Sequence, residues 1–592
     1  MSVSSVLSSP GASRLLRACA IVASGLAAVG CATTQPPAGA TAAPSEAAAV
    51  ASKPPADPAK TAPAAKPGSG APAAAGPRPG EPPPLRPFAE VVKDAREIKG
   101  FVSLWQKDER TWLEVRDDQL NQPFFFAASL AQGLGERFFW PGLMGAEQVV
   151  VFRRVGNNLQ LIARNLRVRA PAGTPLESAV RESYSDSLLA AAPVVSAAHP
   201  ERKSFLVDAN ALLGGDLAGA QTQLETAYRI PYALDRGNTA IERVRATEQG
   251  SFVTVRQHYA VPKLPAPPVT PPPPNMPQPS TPAALPDGRS LFLAYTYTLA
   301  PLPATPMRPR VADQRVGHFT TAFWDFAQTD KGDARTHFVE RWRLEKKDPA
   351  AEVSEPKEPI LVWMDRNIPE EYRDAVRSGI LEWNKAFERA GFRNALEVRQ
   401  QPADADWSTL EGTRFLAVRW FALQGPGATA VGPSQSDPRT GEILRGAAII
   451  PQNWLRFTNG FLRDQQPRLG GTAAKTGLEG FNPPPMPAAS LAELLDDRQC
   501  SYGSDALEQT AFGFELMVAR GEFARGSAQA ERFVAGALKD VVMHEVGHAL
   551  GLRHNFRGST GIKFEQLRDA AFTAQRGISN SVMDYNALNI PL

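Results

Sequence analysis

The stretch V-V-M-H-E-V-G-H-A-L-G-L-R-H-N-F, Val541 to Phe556, governs the reading of the whole chain. It holds His544, Glu545, His548, Gly551 and His554 in the spacing H-E-x-x-H-x-x-G-x-x-H, and three of the chain's seven histidines fall within it. A motif this dense in rare residues has a low false-positive risk. The apolar residues around it follow the period of a helix, expected from about Ala528 to Leu550. That helix puts His544 and His548 one turn apart on one face. Gly547 and Gly551 keep the helix slim and let it end abruptly, so that His554 returns as a third nitrogen donor. Three imidazoles with one position open make a catalytic zinc site, whereas a structural site is closed by four protein ligands.

Each residue of the stretch has a chemical task in that setting. Neutral His544, His548 and His554 hold Zn²⁺, which lowers the pKa of a bound water toward about 7. Glu545 directly follows the first ligand, so its carboxylate reaches the water rather than the metal. It takes the proton during attack and passes it to the leaving amine. The ion polarises the scissile carbonyl and stabilises the oxyanion.

A chain of 592 residues is too long for one core, and its net charge of +3 is small for that length. No Lys/Arg block stands out, which argues against a nucleic-acid partner. The three cysteines, Cys19, Cys31 and Cys500, are too few for a disulfide framework. Arg14 and Arg17 followed by the short apolar run Ala18 to Gly30 have the form of an export signal, too short to span a bilayer. Its end, Ala28-Val29-Gly30-Cys31, resembles a bacterial lipobox, in which Cys31 is lipidated and becomes the first mature residue. An ordinary signal peptide with an incidental cysteine is the alternative. With Ala32 after the cysteine, resemblance to Gram-negative lipoproteins implies an anchor at the outer membrane. Residues 32–86 are Ala, Pro, Gly, Thr and Lys with almost no large apolar side chain, the composition of a disordered tether.

Residues 87–350 have the pattern of a mostly antiparallel β region. Phe101 to Trp105, Thr111 to Val115, Gln148 to Val155 paired with Leu159 to Ala163, Ser251 to Tyr259 paired with Ser290 to Leu299, and His337 to Leu344 are expected strands. Pro271 to Pro274 breaks the last pair with an expected disordered loop. His199, His258, His318 and His337 look isolated. Pro306 to Phe319 is either an ordinary loop, the favoured reading, or a segment laid across a cleft with Asp313 near a metal. The charged, Pro-bearing stretch Lys347 to Glu358 marks a boundary, and residues 351–592 form the catalytic part. There, Ile360 to Asp365 is a strand, Asn367 an N-cap, and Val376, Ile380, Trp383 and Phe387 an apolar helical stripe ended by Gly391. Ala395 to Arg399, Phe415 to Trp420 and Ala447 to Ile450 are further strands. The loop Asp437 to Glu442 has the form of a plain turn, with a cation on Asp437 or Glu442 as the alternative. Arg463 to Met486 has the composition of an exposed loop. Leu491 to Arg520 is an expected helix carrying Cys500 as a buried, inert thiol.

Ser581-Val582-Met583-Asp584-Tyr585 matches the turn built on methionine that lies beneath the zinc in metzincins. With the 541–556 motif, the unit I-L-V-W-M-D-R-N-I-P-E-E-Y-R-D-A-V-R-S-G-I-L-E-W-N-K-A-F-E-R-A-G-F from Ile360 and G-P-S-Q-S-D-P-R-T-G-E-I-L from Gly432, the chain resembles the metzincin clan of zinc endopeptidases. Within it, the chain looks like a bacterial family of large metalloproteases with uncharacterised β-rich domains ahead of the protease. The resemblance implies an α+β fold: antiparallel β domains, then a five-stranded sheet, a backing helix, an active-site helix and a Met-turn at Met583. It implies a polypeptide substrate pairing with an edge strand near Ala447 to Ile450. It gives Tyr585 either a role at the oxyanion or one in packing. It also implies a further segment after the turn. The chain stops at Leu592, so a C-terminally incomplete catalytic domain is expected. The resulting expectation is an exported, membrane-tethered zinc endopeptidase with Glu545 as general base. A catalytically silent envelope binding protein and a zinc hydrolase of a non-peptide amide are the alternatives.

Overall fold

Tight turns set the strand pairing of the N-terminal region. Gly156, at φ 58°, closes the hairpin between Met144–Val155 and Asn158–Ala163, with Val155 opposite Asn158. A computed structural model describes residues 84–266, 273, 276–328, 335–423, 430–452, 500 and 502–590. The expected export signal, Cys31, the expected tether up to residue 83, Arg463 to Met486 and most of Pro271 to Pro274 lie outside these residues, whereas Arg86 at the end of that tether forms a bridge to Ser196. The hairpin belongs to a seven-stranded antiparallel sheet. Its order is Ala233–Thr247, Gly250–Ala260, Ser290–Pro301, Phe124–Gln132, Met144–Val155, Asn158–Ala163 and Ser187–Pro193. A four-stranded antiparallel sheet that includes Ser103–Lys107 and Arg110–Arg116 shares its core, in which Leu113, Phe205, Val253 and Tyr297 are fully buried. A small third sheet pairs Thr320–Asp325 with Arg335–Val339 and Val168–Arg169. The strand expected over His337 to Leu344 therefore ends at Val339, beyond which Arg341 makes only an isolated bridge to Glu442.

His258 is not isolated. Its Nδ1 lies 2.9 Å from Asp235 Oδ2 and its Nε2 lies 2.8 Å from Ser290 Oγ. The order of groups is that of a nucleophilic triad. The three side chains nevertheless stand on a continuous sheet, where Asp235 pairs with His258 and Ala260 with Ser290. The Ser290 N–H itself donates to the Asp287 carbonyl and so is not available to an oxyanion. The network ties three neighbouring strands together.

The catalytic part contains a five-stranded sheet in the order Leu396–Gln400, Ile360–Met364, Phe415–Phe421, Glu442–Pro451, Ser434–Asp437. The first four are parallel and the last is antiparallel. The backing helix runs Arg373–Arg389, and Val376 and Ile380 of its stripe are fully buried. It begins five residues later than an Asn367 cap requires. Asp365 instead accepts the Asn367 N–H at 2.9 Å, and a short 3-10 turn over Glu370–Tyr372 leads into the helix. The active-site helix is Ala528–Ala549, capped by Ser527, whose hydroxyl accepts the Ala530 N–H. Trp383 joins the two helices by donating to the Met543 carbonyl at 2.9 Å.

Ala447 to Ile450 is not an edge. It lies inside the sheet between Phe415–Phe421 and Ser434–Asp437, because the chain returns through Val431 and Pro433 to cover its outer side. The edge strand is Ser434–Asp437, and it is buried beneath the N-terminal region. Gln435 donates to the carbonyls of Ala128, at 3.1 Å, and Gly145, at 2.7 Å. Asp437 pairs with Arg439 within the turn and Glu442 pairs with the distant Arg343, so each carboxylate already has a guanidinium partner.

Residues from Pro82 onward form one compact unit. Arg445, fully buried at the seam between the two regions, donates to Thr298 Oγ1 at 2.6 Å, Ser129 Oγ at 3.4 Å and the Leu410 carbonyl at 2.7 Å. Arg445→Ala leaves a cavity and strands these acceptors, and is expected to cost about 2–4 kcal/mol. A fall of several degrees in the thermal midpoint checks this; an unchanged midpoint sinks the seam as a source of stability.

Candidate metal centre

The first two ligands owe their aim to carbonyl groups. His544 Nδ1 lies 2.8 Å from the Val582 carbonyl and His548 Nδ1 lies 2.8 Å from the Leu552 carbonyl. A carbonyl only accepts, so each Nδ1 carries the proton and each Nε2 keeps a bare lone pair. Those Nε2 atoms face one another's neighbourhood rather than a donor. His548 Nε2 is 3.1 Å from His554 Nε2, and the donor atoms of Cys500, His544, His548 and His554 all lie within 4.8 Å of one another. Burial, reinforced by the neighbouring imidazoles, pushes the His544 pKa well down and that of His548 to about 3. Burial also lowers that of His554. Converging neutral imidazoles repel unless a cation sits between them, so the donor set fits a bound divalent ion.

Glu545 is fully buried, and neither carboxylate oxygen has a hydrogen-bond partner of ordinary geometry among the described residues. Desolvation raises its pKa to about 8, and its near polar neighbour is the Cys500 thiol. A carboxylate held this way is a strong proton acceptor once a cation lies beside it.

The Met-turn sits directly under the active-site helix. Met583 is buried, and a Cβ placed on Gly547 would lie 2.3 Å from its sulfur and 2.8 Å from the Trp383 ring. Gly547 is therefore required by close approach. The turn also supplies Val582 to His544, and the Met583 carbonyl accepts the Asn555 N–H at 2.8 Å, fixing the residue next to His554. Tyr585 follows: its ring meets His554 edge-on at 4.7 Å, and its hydroxyl is 3.4 Å from Cys500 Sγ. His544, Glu545, His548, His554, Met583 and Tyr585 are thus brought together, while Cys31 lies outside the described residues.

The loop carrying the third ligand is held from the N-terminal region. Phe319 N–H donates to the Gly551 carbonyl at 2.9 Å and Arg553 N–H to the Gly317 carbonyl at 3.1 Å, while the Phe319 ring lies 5.8 Å from that of His548. The Pro306 to Phe319 segment does reach the site, but not through Asp313, which pairs with Arg315 at the surface. Nothing in the spacing of Gly317, His318 and Phe319 marks this contact; it depends on the seam between the regions.

Cys500 is the second correction. The helix expected over Leu491 to Arg520 is described from Tyr502 to Ala519, so Cys500 precedes it, and residues 491–499 lie outside the described part. Its sulfur is 3.4 Å from His544 Nε2 and 3.3 Å from His554 Nε2, so the thiol, buried in the apolar core as expected, also stands at the donor cluster. Tyr502 holds it there by stacking on His544 at 4.1 Å and by a short hydrogen bond to Asp540. The only available signal in the sequence was that Cys500 is the single cysteine beyond the N-terminus.

Two family descriptions match parts of the chain. Residues 526–592 match Met-zincin, and residues 142–347 match a domain of unknown function, DUF5117. The C-terminal region is metzincin-like, and with the histidine-rich donor group it suggests a zinc metallopeptidase-like domain. No curated protein and no solved structure matches the chain.

Proposed function

We propose that this chain is a zinc endopeptidase, exported and held at the cell envelope by a lipid on Cys31. The observation that carries the catalytic reading is the convergence of three neutral imidazoles beside a fully buried, unpaired Glu545. His544, His548 and His554 hold the ion. When bound, the ion supplies an acidified water and a polarised carbonyl. Glu545 takes the proton of the attacking water and delivers it to the amide nitrogen as the peptide bond breaks. The Tyr585 hydroxyl, beside the donor cluster, is placed to donate to the developing oxyanion. The signal-like residues Arg14 to Cys31 support export and anchoring by lipid. No helix among the described residues is long and apolar enough to cross a membrane.

One observation favours a second reading, a catalytically silent envelope protein: Cys500 adds a fourth donor, the number found in closed structural sites. Zinc content measured with cleavage of a mixed peptide library, read by mass spectrometry, separates the two. Stoichiometric zinc and internal peptide-bond cleavage are expected from the chain or from a Cys500→Ser variant. Zinc without cleavage in either protein sinks the peptidase reading.

A further inference from the structure

Cys500 stands 44 residues before His544, yet its sulfur lies within 3.4 Å of two of the imidazole nitrogens. A tetrahedral ion with nitrogens at about 2.0–2.1 Å and a sulfur at about 2.3 Å sets neighbouring ligand atoms about 3.3 Å apart for N···N and about 3.6 Å for N···S. The observed separations are 3.1 Å between His548 and His554, and 3.4 and 3.3 Å from the sulfur to His544 and His554. These three separations approach the tetrahedral spacing and all four donor atoms lie within 4.8 Å of one another, which puts the sulfur near the fourth corner beside the three imidazoles.

Two independent features point to the same corner. The Glu545 carboxylate, fully buried and with no hydrogen-bond partner of ordinary geometry among the described residues, lies beside the thiol, where the proton acceptor for a reacting water belongs. The start of the helix Tyr502–Ala519 is also fixed against the active-site helix, through the ring of Tyr502 on His544 and its hydroxyl on Asp540. These contacts hold Tyr502, two residues after Cys500, against the active-site helix.

Building on the zinc-site reading above, we propose that Cys500 is the fourth ligand of the bound ion and that the fold described here is the closed, latent form of the site. On closure the thiol proton leaves to solvent, a sulfur–metal bond forms, and the water at that corner is released. No electron is transferred. Opening is the reverse: water takes the corner and the sulfur leaves as a reprotonated thiol. Latency follows because the water that Glu545 must deprotonate and the sulfur compete for one position.

The test substitutes cobalt for zinc in the full chain, with Cys500→Ser alongside. A thiolate-to-cobalt charge-transfer band in the near ultraviolet is expected in the wild type and absent from the variant. Cobalt bound without that band in the wild type overturns the proposal, whether or not peptides are cleaved. Titration with acetohydroxamate, followed by the visible cobalt spectrum, gives the second readout. Displacing a resident sulfur weakens apparent affinity, so binding about tenfold tighter or more is expected in Cys500→Ser. Equal affinity in the two proteins also overturns it. Should the variant fail to fold, the wild-type spectrum still decides, provided Cys19 and Cys31 are replaced by serine in that chain. If the band is present in the wild type while cleavage is absent from both the wild type and Cys500→Ser, the peptidase reading fails and the ligand assignment stands.

Discussion

Glu545→Gln is expected to keep its zinc and to lose peptide hydrolysis by about 10²–10⁴-fold, the usual contribution of a positioned general base. The amide has nearly the shape of the carboxylate, and residue 545 is not among the donors that converge, so metal content and thermal midpoint should hold. The loss should fall on kcat, because the proton moves only during reaction. A fall in zinc occupancy equal to the fall in rate would show instead that the residue holds the ion or the fold. Activity within a few-fold of wild type would remove Glu545 from the mechanism.

Gly551→Ala is expected to damage both folding and metal binding. Gly551 has φ 102°, a region that side chains with a Cβ rarely occupy, and an added Cβ would stand 2.3 Å from the Glu340 carbonyl oxygen. Backbone strain of about 1–3 kcal/mol adds to a contact that only backbone movement can relieve. The total should exceed about 3 kcal/mol. The movement has a direct consequence, because the Gly551 carbonyl accepts from Phe319 and the chain reaches His554 three residues later. Zinc affinity should therefore fall by at least tenfold, measured by competition with a chromophoric chelator, beside a lower thermal midpoint. Wild-type affinity and midpoint together would show that the turn tolerates a side chain, against the geometry.

Much of the site was legible because its signals are local. His544 and His548 are related by helix period alone, and the active-site helix runs over Ala528–Ala549, nearly the expected range. The apolar stripe of the backing helix and the Gly156 hairpin were readable for the same reason: each depends on residues a few positions apart. The start of the backing helix was misplaced because Asn367 and Asp365 both suit a turn, and only the tertiary path shows which carboxylate caps what. His258 looked solitary because its partners lie 23 and 32 residues away on neighbouring strands.

By itself the sequence determined the three histidine donors, the place of Glu545 beside them, the methionine-bearing turn and the order of the β-rich and metzincin-like regions, since each is written in composition, period or short spacing. Tertiary structure alone decided four things. Ala447 to Ile450 is an inner strand, and the true edge is covered by the N-terminal region. Gly317 to Phe319 hold the loop of the third ligand. Met583 lies against Gly547. The sulfur of Cys500 stands among the imidazoles that V-V-M-H-E-V-G-H-A-L-G-L-R-H-N-F supplies. Each is a contact between residues far apart in the chain. Such contacts are fixed by how whole elements pack, which no local pattern of residues encodes.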